Sequence, residues 1–108
     1  MQTNEIRQGF ERAEHSIHQA AQACGRENTL SMDLKDSIQS LDRQVERARQ
    51  VVMQSSDENS VRQCIDELEE LGDRARDACV RDPGASNDIK QAVMQTHKEL
   101  SSLKRQLH

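Results

Sequence analysis

Apolar residues recur along this chain at steps of three and four. Ile6, Phe10, Ala13, Ile17, Ala20 and Cys24 form a first series, and that spacing lines them up along one side of a helix. Leu34, Ile38, Leu41, Val45, Ala48 and Val52 form a second, and Ile89, Val93, Thr96, Leu100, Leu103 and Leu107 another near the C-terminus. Between them run Val61, Cys64 or Ile65, Leu68, Leu71, Ala75 and Ala78 or Cys79. In this third series the spacing leaves open whether Leu71 or Gly72 turns inward. Four amphipathic helices are therefore predicted, each narrow in its apolar stripe and needing neighbours to cover it.

Boundary signals agree with four helices. Gly25 follows the first stripe, where a helix can leave through a left-handed residue. Ser31 and Ser86 precede the second and fourth stripes and offer a hydroxyl oxygen to an exposed first-turn amide, while Asp33 and Asp88 face the positive end of the helix dipole. Ser55–Ser60, reading SSDENS, is the clearest internal loop, because such side chains compete with helical hydrogen bonds and cap the next helix. Asp82-Pro83-Gly84 ends the third helix, since proline disfavours a helical residue before it. Helices of about 20–24 residues are about 30–36 Å long. Connections of about five to six residues favour antiparallel neighbours. The expected fold is all-α: one domain over residues 1–108, an antiparallel up-down-up-down four-helix bundle.

The chain also repeats. SMDLKDSI at Ser31–Ile38 is echoed by SNDIKQAV at Ser86–Val93, 55 positions later. The same shift places Arg7-Gln8 on Arg62-Gln63, Glu14 on Glu69, Ala23-Cys24 on Ala78-Cys79 and Arg26 on Arg81, and it aligns the stripes. A common heptad pattern would align the stripes alone, but not the surface residues. Two similar helical hairpins, about 3–54 and about 58–108, are the expectation, clasped around an approximate internal twofold axis. Leu30, Met32, Val51, Met53, Val80 and Met94 are apolar but lie beside the stripes. They either widen the core or face a second copy in a homodimer.

Composition narrows the function. Only one residue, Phe10, is aromatic, and the formal net charge is −4. The short basic stretches Arg43, Arg47, Arg49 and Lys98, Lys104, Arg105 are interrupted by Asp42, Glu46 and Glu99, so they read as solvated helix faces and not as a track for nucleic-acid phosphates. Three cysteines, Cys24, Cys64 and Cys79, without CxxC spacing, fit reduced thiols packed as small apolar residues. The opening MQTNEIRQGF has no apolar signal region, and no run of 18 apolar residues occurs. A cytoplasmic location, with neither membrane nor nucleic-acid partner, is expected.

Two clusters carry candidate chemistry. Glu11, His15 and His18 stand at helical spacing on the water-facing side of the first helix, a set that can converge on a metal ion; a solvated patch is the plainer reading. A histidine-phosphotransfer bundle using His15 or His18 is a rival of another class. Such bundles carry a lysine three residues after the histidine, then a glycine, and here His18, Ala21 and Leu100 follow His15, His18 and His97 at that distance. Asp66, Glu69, Glu70 and Asp73 make the third helix acidic, either to pair with basic neighbours or to meet a basic partner. With no cofactor signature, no metal required and no catalytic motif, the expected role is that of a non-catalytic protein-protein interaction module: a small adaptor, chaperone-like or assembly protein.

Overall fold

A computed structural model describes residues 3–54 and 57–107. It contains α1 (Thr3–Gly25), α2 (Met32–Gln54), α3 (Glu58–Val80) and α4 (Asn87–Leu107), and no strand among the described residues. The particle is a rod 42 × 20 × 17 Å in extent. α1 packs against α2 and α4, and α3 packs against the same two, leaving α1/α3 and α2/α4 across the diagonals. This square arrangement is what four narrow stripes need if each is to be covered from both sides.

Every residue of the α1, α2 and α4 stripes is buried. On α3, Ile65 and both Ala78 and Cys79 are inside, while Cys64 is half-buried. Gly72 takes the inward position and Leu71 stays half-buried at the margin. The reason lies on α4, whose Leu100 Cδ1 would stand 3.0 Å from a Cβ at Gly72. Leu103 Cδ1 would stand equally close to one at Gly9 on α1. Two glycine hollows on α1 and α3 thus receive two leucines of the helix between them, a large-into-small fit. Of the spare apolar residues, Leu30 is buried and Val51 and Met53 pack against the core, whereas Met32, Val80 and Met94 remain exposed.

Some ends differ from expectation. No glycine has a positive φ, so α1 does not leave through a left-handed residue; Gly25 closes the helix, and the amides of Arg26 and Glu27 donate to Ala23 and Cys24 in tight three-residue turns. The loop predicted to extend to Ser60 is shorter, because α3 begins at Glu58. Asp57 caps it, accepting from the Asn59 amide at 3.1 Å and the Ser60 hydroxyl at 2.8 Å; Ser55 and Ser56 lie outside the described residues. The serine caps of α2 and α4 form as expected, with Ser31 Oγ accepting from Leu34 and Ser86 Oγ from Ile89.

The α1–α2 and α3–α4 loops meet. Asp82, buried in its loop, accepts from the Ser31 amide at 2.8 Å and the Gly84 amide at 2.9 Å. These bonds hold its carboxyl below the usual range. Ser86 Oγ donates to Glu27 at 2.5 Å and Thr29 Oγ1 to the Gly84 carbonyl at 3.4 Å. Thr29 and Gly84 are themselves 55 positions apart, as are Ser31 and Ser86, or Glu27 and Asp82. Asp82 thus caps α2 from the opposite loop, and Glu27 holds the serine that caps α4.

Candidate functional site

The polar residues of the helix flanks are sorted by side. Three residues along a helix turn through about 300°, so His15 and His18 point about 60° apart, and α1 has a neighbour on each side. Glu11 and His15, both exposed, line a groove of about 560 Å³ against Gln95 and Glu99 of α4. His18 faces α2 instead. Glu11, His15 and His18 are therefore not brought together: the first two open toward α4 and the third is held by the opposite neighbour.

Around His18 stands a cluster drawn from both α1 and α2. Its Nδ1 lies 2.8 Å from Asp42 Oδ1, and its Nε2 lies 3.2 Å from Glu46 Oε1 and 4.0 Å from Glu14 Oε2. The other oxygen of Glu14, Oε1, pairs with the Arg49 guanidinium. Going up α1 from Arg7 to Glu14 to His18, the contacted residues go down α2, from the Met53 carbonyl to Arg49 to Asp42.

Between α3 and α4 stands a related cluster in which the histidine and the aspartate have changed helices. Fifty-five positions from His18 and Asp42 stand Asp73 and His97, and Asp73 Oδ1 meets His97 Nε2 at 2.7 Å. Glu69, the counterpart of Glu14, pairs with Lys104, the counterpart of Arg49, at 3.4 Å. Here a further cation intervenes: Arg76 Nη1 lies 3.3 Å from the same His97 Nε2. Arg7 and Arg62, another pair of counterparts, each bury an Nε that finds no acceptor.

Two of the four acidic residues predicted on α3 are engaged by the neighbouring α4. Glu69 and Asp73 meet Lys104 and His97 of α4, Glu70 pairs with Arg74 at 3.7 Å, and Asp66 is half-buried. Such pairs between flanking helices contribute about 0.2–1 kcal/mol each where exposed. Sequence spacing did not single out Asp42, Glu46 or Arg49, because their importance depends on the register of α2 against α1. The available signal was the 55-residue shift, which aligns Glu14 with Glu69 and Arg49 with Lys104.

The cysteines are free. Burial pushes the Cys24 thiol up to about 11, with the thiol of Cys79 as a second cause. Burial likewise raises Cys64 and Cys79, so all three behave as packing groups and not as ready nucleophiles.

At the end of the bundle where the loops meet, two large apolar side chains are left in water. Val80, the last residue of α3, is 76% exposed and Met32, the first of α2, is 69% exposed. They flank an ion pair, Arg81 to Asp33 at 3.4 Å. No described helix is long and apolar enough to cross a membrane. Compared with known protein families, curated proteins and solved structures, the chain matches none.

Proposed function

We propose that this chain is a non-catalytic protein-protein interaction module, a small adaptor, chaperone-like or assembly protein of the cytoplasm. Its frame is an antiparallel up-down-up-down bundle of two similar hairpins related by an approximate twofold. The opposed running of α1 and α2 contacts supports that topology. So do the hydrogen bonds that join the two loops.

The observation that carries the functional reading is the Met32/Val80 corner. Its counterpart, 55 positions away, has Asn87 in place of Met32 and Gly25 in place of Val80. The same helix ends are therefore made without apolar side chains, and folding does not require Met32 or Val80 to be what they are. Burying each against a partner contributes about 1.5–3 kcal/mol, and the Arg81–Asp33 pair between them supplies orientation.

The test compares wild type with Met32→Asn/Val80→Ser, substitutions at exposed positions that leave thermal unfolding unchanged. Pull-downs from the native cell, combined with light scattering, then identify the partner. A bound protein lost from the double variant supports the proposal. A particle of two chains that becomes one chain in the variant makes the partner a second copy. Identical captured proteins and identical mass for both forms would refute it.

The rival reading, histidine phosphotransfer, rests on His15, which is exposed, because both ring nitrogens of His18 face carboxylates. Phosphoramidate formed with a histidine kinase and lost in His15→Ala would favour that rival.

A further inference from the structure

The first hairpin contains an unresolved conflict of lone pairs. An ionised Asp42 only accepts, so the hydrogen bond of 2.8 Å assigns the proton to His18 Nδ1 as donor. In a neutral imidazole the other nitrogen, Nε2, then presents a lone pair. That lone pair faces Glu46 Oε1 at 3.2 Å and Glu14 Oε2 at 4.0 Å. One ligand atom from each of the three residues lies within 4.8 Å of the other two, so a cation placed among them would meet all three. Two kinds fit: a second proton on the imidazole, or a metal ion.

We propose that His18 Nε2, Glu14 and Glu46 form a binding site for a divalent transition ion of the zinc class, bridging α1 and α2. Three features distinguish it from an ordinary surface cluster. First, bonds of about 2.0–2.2 Å in tetrahedral geometry put ligand atoms about 3.3–3.6 Å apart, bracketed by the 3.2 Å from His18 Nε2 to Glu46 Oε1 and the 4.0 Å to Glu14 Oε2. Second, both inner ligands are already oriented by outer partners. Asp42 holds the His18 ring in the tautomer that leaves Nε2 free, and Arg49 holds Glu14 Oε1 so that Oε2 faces inward. A carboxylate on the far nitrogen of a ligating histidine is the usual second shell of such sites. Third, an imidazole with two carboxylates and room for water suits zinc or cobalt better than calcium or magnesium, which prefer all-oxygen shells.

The chain supplies its own control. At the matching place in the second hairpin, Glu69, Asp73 and His97 also come within ligand distance. There Arg76 brings a guanidinium to His97 Nε2, and the position matching Arg76 in the first hairpin is Ala21. The position matching Glu46 is Ser101. The second cluster is thus filled by a cation of the chain and lacks one acid; the first lacks that cation and has the extra acid.

The test is calorimetric titration of the full chain with zinc chloride, repeated with cobalt, whose visible absorption reports a four-coordinate site. One equivalent is expected to bind. Glu46→Gln, at a water-exposed position that leaves folding intact, and His18→Ala each weaken binding at least about tenfold. Asp42→Asn, which touches no metal, weakens it about 10- to 100-fold, while His97→Ala and His15→Ala leave it unchanged. Absence of zinc and cobalt binding would overturn the site, and protons on both His18 nitrogens by NMR would then identify a simple ion pair. Binding that survives His18→Ala and Glu46→Gln would equally overturn it.

Discussion

Replacing Gly84 by alanine tests the meeting of the two loops. Gly84 does not have a positive φ, so alanine meets no conformational objection there, and the effect is steric alone. A Cβ at this position would stand 2.6 Å from the Thr29 carbonyl oxygen and 3.3 Å from Asp82 Oδ1. Ordinary contact begins near 3.4 Å, so the new methyl group overlaps a backbone atom of the opposite loop by about 0.8 Å. Thr29 cannot retreat freely, because the neighbouring Ser31 amide is tied to Asp82 and its own hydroxyl to Gly84. Overpacking of this kind costs about 1–3 kcal/mol. The smaller entropy of the unfolded alanine chain offsets about 0.4–1 kcal/mol, leaving a net destabilisation of about 1–2 kcal/mol. At about 4–8 °C per kcal/mol for a domain near this size, Tm falls by about 5–15 °C. Gly25→Ala is the partner experiment: no neighbouring atom lies within 4 Å of its Cβ, and the same entropy term raises stability by about 0.4–1 kcal/mol. Urea unfolding followed by circular dichroism at 222 nm gives both values. If Gly84→Ala matched wild type, or both substitutions stabilised equally, the two loops would not be in contact.

Other substitutions probe the core and the titrating groups. Phe10 is fully buried, and Phe10→Ala is expected to cost about 3–5 kcal/mol in the same assay. Gly72→Ala sets a gain of about 1 kcal/mol in helix propensity against a 3.0 Å approach to Leu100; it is expected to be close to neutral, and Gly72→Val strongly destabilising. The Cys24 thiol, raised from 9.0 to about 11, favours folding in its protonated form. Its contribution is complete below pH 9 and is lost as pH rises toward 11, so Cys24→Ala should flatten the alkaline limb of a stability-pH profile. Asp82 has the opposite sign: its lowered pKa adds stability above the ordinary carboxylate range that is lost as pH falls through the folded value. Asp82→Asn should therefore shrink the acid-induced loss measured between pH 5 and pH 2.

Much of the helical frame was readable from periodicity because one physical demand dominates it. Ile6, Phe10, Leu34, Ile38, Ile89 and Leu100 had to share a side of their helices or remain in water, and three-and-four spacing records that demand directly. The same reading left Gly72 undecided against Leu71, since its inward position follows from the bulk of Leu100 on another helix and not from its own hydropathy. Gly25 misled for a related reason: a glycine after a stripe suggests a left-handed exit, yet tight turns onto Ala23 and Cys24 serve as well. The site was legible only in part. His18 stood out as a possible ligand by type, but its companions Asp42, Glu46 and Arg49 depend on how α2 slides along α1. The grouping of Glu11 and His15 with His18 followed spacing on one helix and could not include the neighbours that pull them to opposite sides. What did carry across helices was the 55-residue echo, in which Glu14 and Glu69 keep cationic partners at Arg49 and Lys104.

The claim beneath all of this is that neither hairpin hides its aliphatic stripe without the other. Residues 3–54 and 58–108, prepared as separate peptides, test it by sedimentation and thermal unfolding over a range of concentrations. Each peptide alone should lack a cooperative transition wherever it sediments as a monomer, and mixing the two should restore helicity and a sharp melt. A lone monomeric hairpin that stays compact and unfolds cooperatively would contradict the account.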